Sequence, residues 1–274
     1  MTKTRQIKKI LKSVPTIEGA GVHLKRAFGF YHVPQLDPFL LLDDFRSDNP
    51  NYYIKGFPWH PHRGIETITY MLDGSVKHGD SMGNKGVIYP GGIQWMTAGN
   101  GVIHQEMPKG NKKGLMGGFQ LWANLPASHK MMDPRYRDVK KATIPEIILD
   151  NGTKIKIICG KVNNVEGPVK DIIIEPEYLD VALPPDAVFR HPIKSGHAVF
   201  AYVIEGDESE SLIIFDDGDE VLIITKDNPM RFLLVSGKPI KEPIAWSGPI
   251  VMNTQKELKL AFEEYQNGTF IKTG

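Results

Sequence analysis

The sequence predicts an all-β protein of two tandem barrels with one short C-terminal helix. Three observations carry that expectation. Short β-branched and aromatic runs recur between Gly, Pro, Asn and Asp clusters, a single helical pattern stands near the end, and Tyr70-Met71-Leu72-Asp73-Gly74 is echoed by Tyr202-Val203-Ile204-Glu205-Gly206, 132 residues on. The runs are IETITYML (65–72), GGFQLWANL (117–125), KIKIICGKV (154–162), DIIIEP (171–176), AVFAYVIEG (198–206), SLIIF (211–215), EVLIIT (220–225) and MRFLLV (230–235). Strands of this length and spacing belong to sandwiches and barrels. For the helix, Thr254 and Glu257 form a T-x-x-E capping box, Leu258, Ala261, Phe262 and Tyr265 share one face, and Asn267-Gly268 supplies a stop.

At 274 residues the chain exceeds the usual single-domain size of about 100–200 residues. The polar, basic stretch from Ser128 to Glu146, with Pro134 and Pro145, has the composition of an interdomain connection. The expected organisation is an N-terminal barrel over 1–132, a linker over 133–145 and a C-terminal barrel over 146–274. Thirty-three basic and 32 acidic residues leave a net charge of +1, so no global field attracts nucleic acid and direct nucleic-acid binding is not expected. Lys3, Arg5, Lys8, Lys9 and Lys12 read as a solvated first strand or a frayed end rather than a binding arm. No apolar run approaches the ~20 residues that span a bilayer. The lone Cys159 excludes an intrachain disulfide, and the first residues do not read as a secretory signal, so a cytoplasmic location is the expectation.

Chemistry concentrates in two short segments. In W-H-P-H-R-G-I-E, His60 and His62 stand two residues apart at the start of a strand, where i and i+2 face the same way. Downstream, His104 and Glu106 repeat that spacing. Neighbouring strands lie about 4.8 Å apart, so three nitrogens and one carboxylate oxygen can converge on a first-row metal at ~2.0–2.2 Å. A lone histidine is usually an exposed or hydrogen-bonded residue; H-x-H followed by H-x-E in a β pattern is a ligand set.

Longer motifs extend the comparison. HPHRGIETITYMLDG, QWMTAGNGVIHQEMP, DPFLLLDDF (37–45), GGFQLWANLP (117–126) and GPIVMNT (248–254) together resemble the pirin family of the cupin superfamily over most of the chain. The resemblance implies two cupin barrels of the double-stranded β-helix or jelly-roll kind, with one mononuclear metal in the N-terminal barrel held by His60, His62, His104 and Glu106. Against the general cupin motif, Gly56, His60, His62, Glu66 and Gly74 follow with a shorter lead. The carboxylate at Glu66, a ligand in ordinary cupins, becomes a residue behind the ligands in pirins. Gly91, Thr97, Gly99 and His104 form a second motif in which Thr97 replaces the usual Pro. In the C-terminal half the equivalent positions are Pro192, Lys194 and Ala198, and His191 and His197 lack a matching downstream ligand, so a second metal is not expected.

Three neutral imidazoles and one carboxylate leave a divalent ion two open octahedral positions. Fe(II) is the expected ion; the Irving–Williams order keeps Cu, Ni, Mn, Co and Zn open. Phe57, Trp59, Trp95 and Trp122, with Met96, are candidates for lining a pocket for a flat ligand, and Arg63 for contacting it. The resemblance implies a quercetin 2,3-dioxygenase activity: the flavonol 3-hydroxyl binds the metal, Glu106 takes its proton as catalytic base, and O2 adds across C2 and C4 with loss of carbon monoxide. The alternative it implies is a non-enzymatic, redox-responsive regulator that binds a transcription factor or metabolic enzyme.

Overall fold

The computed structural model describes residues 2–32 and 36–272. It is mostly β, with one α-helix, and it divides into two compact units, each built on a seven-stranded sheet.

The first unit comprises the described residues of 15–33, 39–141 and 240–274. Its larger sheet runs in the order Arg135–Val139, Ile93–Thr97, Ile65–Asp73, Gly117–Asn124, Phe39–Asp44, Val22–Phe28, Val14–Glu18. A four-stranded sheet follows the order Phe57–His62, Val102–Lys109, Ser75–Asp80, Lys85–Ile88. Register fixes which residues share a face. Thr69 pairs with Gln120, and Gln120 with Asp43, while Glu66 pairs with Thr97 and Ile68 with Trp95 on the other face. Val22, Leu24, Phe45, Tyr53, Met71, Val76, Ile88 and Met116 pack into an apolar cluster inside the unit.

The second unit comprises the described residues of 1–14, 34–38 and 142–239. Its sheet runs Ile7–Lys12, Ser211–Phe215, Ala198–Glu205, Met230–Gly237, Glu177–Leu183, Lys154–Cys159, Glu146–Ile148, and Val188–Pro192 pairs with Glu220–Ile224. Alternate residues of these strands, among them Ile155, Ile157, Leu179, Val181, Val199, Ala201, Val203, Phe232 and Leu234, form one continuous aliphatic core. The echoed motifs occupy matching places. Ile65–Asp73 lies between Ile93–Thr97 and Gly117–Asn124, as Ala198–Glu205 lies between Ser211–Phe215 and Met230–Gly237.

The unit boundaries depart from the sequence expectation in three places. Arg135–Val139, inside the expected linker, is an edge strand hydrogen-bonded to Ile93–Thr97. Residues 240–274 belong to the first unit, where Ala245, Ile250, Met252, Leu258, Ala261 and Phe270 form a cluster that Ile103 joins. The first fourteen residues belong to the second unit, because Ile7–Lys12 pairs antiparallel with Ser211–Phe215. The run DIIIEP (171–176) is not a strand: Asp171 and Glu175 adopt positive φ (60° and 47°), which breaks extension, although Ile172 and Ile174 remain buried. The helix spans Gln255–Gln266 with its Thr254–Glu257 capping box intact.

Phe232 is fully buried in the second unit's core and packs edge-on against Phe189 at 5.7 Å. Phe232→Ala is expected to cost about 3–5 kcal/mol of stability, measured by urea unfolding of the full chain. A loss under about 1 kcal/mol would show that this interior collapses around the deletion.

Candidate metal centre

His60 and His62 lie in Phe57–His62, which pairs antiparallel with Val102–Lys109 so that His104 stands opposite His60. A register shift between His104 and Glu106 sets Glu106 opposite Phe57. Such a bulge re-aims a side chain without breaking the sheet. The three imidazoles converge. His60 Nε2 lies 3.1 Å from His62 Nε2 and 3.0 Å from His104 Nε2, and one nitrogen from each ring lies within 4.8 Å of the other two. Ligand nitrogens at ~2.0–2.1 Å from one ion, at right angles, stand roughly 3 Å apart. The donor set therefore fits a first-row metal, and among the described residues it is the one such cluster.

Hydrogen bonds fix which nitrogens face inward. His60 Nδ1 donates to the carbonyl of Pro58 at 2.9 Å, and His62 Nδ1 to the carbonyl of Pro249 at 3.1 Å. Both Nε2 atoms are thereby left as lone pairs. Burial holds the rings neutral: desolvation lowers the pKa of His60 and drives those of His62 and His104 well below the usual histidine value, with the neighbouring imidazoles adding to the effect. Glu106 is buried, and desolvation pushes its carboxyl up to about 7 against the hydrogen bond from Thr69. Thr69 Oγ1 lies 3.1 Å from Glu106 Oε1 and 2.6 Å from Gln120 Oε1. One hydroxyl proton serves only one acceptor, so the second contact requires a proton on Glu106 or the amide nitrogen of Gln120 turned toward Thr69.

A cavity of about 680 Å³ opens beside the cluster, lined by His60, His62, Glu106, Thr69 and Gln120. Phe57, Trp59, Trp122, Phe30 and Trp246 add aromatic walls, and Arg26 and Asp43 a polar one. Trp122 meets His62 edge to face at 5.1 Å. Arg26 holds Asp43 bidentately at 2.7 and 2.8 Å, yet burial still raises the Asp43 carboxyl to about 6.

Of the expected site residues, the structure brings His60, His62, Glu106, Phe57, Trp59 and Trp122 to the cavity, with His104 in contact through the imidazole cluster. It does not bring Glu66, Trp95 or Arg63 there. Glu66 and Trp95 occupy the sheet face opposite Thr69; Glu66 accepts from Thr97 Oγ1 at 2.7 Å and from Trp95 Nε1 at 3.2 Å. Arg63 follows His62 by one residue and so points away from it, donating to Glu264 at 2.6 Å and to the Phe270 carbonyl at 2.8 Å while lying 4.2 Å over the Phe270 ring. The glutamate outside the three-imidazole group is Glu106 itself, whose oxygen is turned to Thr69.

Several residues escaped the sequence reading. His78, opposite Glu106 in register, packs 5.3 Å from His104, stacks on Tyr136 and has its Nε2 3.5 Å from Asp80 Oδ2. Its H-x-D spacing to Asp80, at i and i+2, was the available signal. Thr69, Gln120 and the Pro249 carbonyl carry no such signal.

The family profile described as Pirin matches residues 21–123, and that described as Pirin C-terminal cupin domain matches residues 178–271. The chain is 43% identical over 275 residues to a pirin-like protein of Caulobacter vibrioides, covering 97% of this chain and 99% of that one. It is 38% identical to Pirin-1 of Arabidopsis thaliana, covering 95% and 92%. A crystal structure of quercetin 2,3-dioxygenase from Acinetobacter baumannii superposes with a TM-score of 0.89 at 29% identity, covering 98% of this chain and 99% of that one.

Because the barrel's own apolar core is independent of the imidazoles, His104→Ala is expected to lose Ni(II) or Co(II) binding by 100-fold or more, on the order of the loss of a direct ligand, while its circular dichroism stays that of the wild type. Titration by calorimetry gives the affinity. A collapsed spectrum would make the centre a structural one.

Proposed function

The chain belongs to the pirin family, and from that membership we propose that it is a metal-dependent oxidoreductase opening flavonols such as quercetin with dioxygen. The observation that carries the reading is the convergence of three neutral imidazoles on an aromatic-walled cavity that also holds a carboxyl of raised pKa. A structural relative at 29% identity is a quercetin 2,3-dioxygenase, which supports the substrate class. The reading takes His60, His62, His104 and Glu106 as ligands and Fe(II) as the ion. A metal so held supplies Lewis acidity toward an enol hydroxyl and a meeting place for dioxygen.

The chain's own residues supply the remainder. Glu106 accepts the proton of the flavonol 3-hydroxyl on Oε2, since Oε1 is engaged by Thr69. In the metal-free fold burial raises this carboxyl to about 7; a bound cation would lower it, so the proton passes to Glu106 once its oxygen has left the metal. Trp122, packed on His62, and Phe57 supply aromatic surface to the cavity, as does the half-exposed Trp59. The Pro58 and Pro249 carbonyls keep both imidazoles in the ligating tautomer.

The direct test is anaerobic loading with Fe(II), then quercetin and oxygen, with oxygen uptake and carbon monoxide both measured. Turnover with release of carbon monoxide is expected. Iron-loaded protein that consumes no oxygen would leave the metal-dependent regulator as the reading. Glu106→Gln, once saturated with iron, is expected to lose on the order of 10²–10⁴ in kcat and to recover in part at higher pH. Equal kcat for both proteins between about pH 6 and 9 would leave Glu106 a ligand only.

The raised Glu106 pKa also sets a sign for stability. Its folded value, about 7, exceeds its ordinary value of 4.5, so the stability it contributes to the metal-free fold is full below 4.5 and fades as pH rises toward 7. Deprotonation over the same window frees the carboxylate for a cation, so the rise in Tm on adding Ni(II) is expected to grow from pH 5.5 to 8. A rise independent of pH would remove Glu106 from the ligand set.

A further inference from the structure

Lys130 is one of the buried cations that the proposed chemistry does not use. Lys130 is 2% exposed, and its Nζ donates to the carbonyl of Gly64 at 2.8 Å, to Asn124 Oδ1 at 2.6 Å and to the carbonyl of Val251 at 3.0 Å. An ammonium has three donors, and all three are used. The three acceptors come from three separate segments around His62. Gly64 is the turn that ends the His60–His62 strand, and its φ of +78° with the Val251 carbonyl against its Cα leaves no room for a side chain. Asn124 ends the strand that carries Trp122, the ring packed on His62. Val251 lies two residues beyond Pro249, whose carbonyl accepts from His62 Nδ1, and its N–H donates to the Arg63 carbonyl at 3.1 Å.

The geometry points to Lys130 as the positioning residue of the metal centre: its ammonium pins the Ile250–Met252 strand to the turn after His62 and so holds the Pro249 carbonyl on His62 Nδ1. The inference rests on the metal-centre reading above. Burial lowers the Lys130 pKa to about 7, so the charge is held at a cost, and three hydrogen bonds must offset it. An apolar side chain would fill the same volume without that cost. What the ammonium adds is a fixed distance between three backbones, and a histidine ligand depends on such a distance for its tautomer and ring angle.

The test is Co(II) binding to the full chain, read by affinity and by the visible ligand-field spectrum, with Lys130→Met beside Ile88→Ala. Ile88 is a buried residue outside the cavity lining, and its truncation controls for lost stability alone. Lys130→Met is expected to weaken cobalt binding about 10–100-fold, the usual effect of removing support behind a ligand, and to shift the bands; Ile88→Ala is expected to change neither. Folded Lys130→Met with wild-type affinity and spectrum would overturn the proposal. Should Lys130→Met fail to fold, Asn124→Ala removes one acceptor, and a weakening of about tenfold is expected there; unchanged binding would overturn the proposal equally. Wild-type protein that takes up no cobalt would instead overturn the metal reading itself, so the two failures are distinguishable.

Discussion

Two imidazole nitrogens, their Nδ1 protons already given to backbone carbonyls, face each other as bare lone pairs 3.1 Å apart, and a third ring closes on them at 3.0 Å. Three ring nitrogens so close together form a donor set that one cation can share. Everything around the centre serves to hold that arrangement. The antiparallel pairing sets His60 opposite His104, the i and i+2 spacing brings His62 to the same side, and the prolyl carbonyls fix the rings.

The two units show how one fold accommodates an empty or a filled interior. In the second, alternate positions along each strand carry Ile, Val, Leu and Phe, and the barrel is solid. In the first, the corresponding inward positions include Thr69, Gln120, Asp43 and Trp122, and a cavity remains beside the histidines. The strand pair Val188–Pro192 with Glu220–Ile224 stands where the ligand pair stands in the first unit. It sets His191 opposite Val221, and His191 takes Glu177 as its partner at 2.7 Å. The difference between the units lies in a few inward side chains, since the topology is shared.

The polar groups near the centre divide by what burial does to them. It keeps the imidazoles neutral and so able to ligate, and it keeps Glu106 poised near neutrality. Lys130 experiences the same desolvation, and three neutral acceptors compensate it. A cavity beside three convergent imidazoles, with a buried carboxyl and aromatic walls, has the components of a small-molecule site.

The sequence by itself determined the all-β class, the doubled barrel, the capped C-terminal helix and the three histidines. Each is written in local periodicity: strands alternate every two residues, a helix face recurs every three or four, and H-x-H needs no more than an extended backbone to place both rings on one side. The tertiary structure decided whatever depends on partners distant in the chain. Alternation could not say which face of Ile65–Asp73 looks inward, so Glu66 and Trp95 read like site residues although register turns them to the opposite face from Thr69. Composition could not reveal that residues 240–274 join the first unit and bring the Pro249 carbonyl to His62, because a backbone acceptor is the same in every residue. Nor could it show that Lys130, in a stretch that reads as a solvated connection, has its charge satisfied by acceptors 66, 6 and 121 residues away. Local chemistry is carried by residue type and spacing; convergence across such separations exists only once the chain has folded.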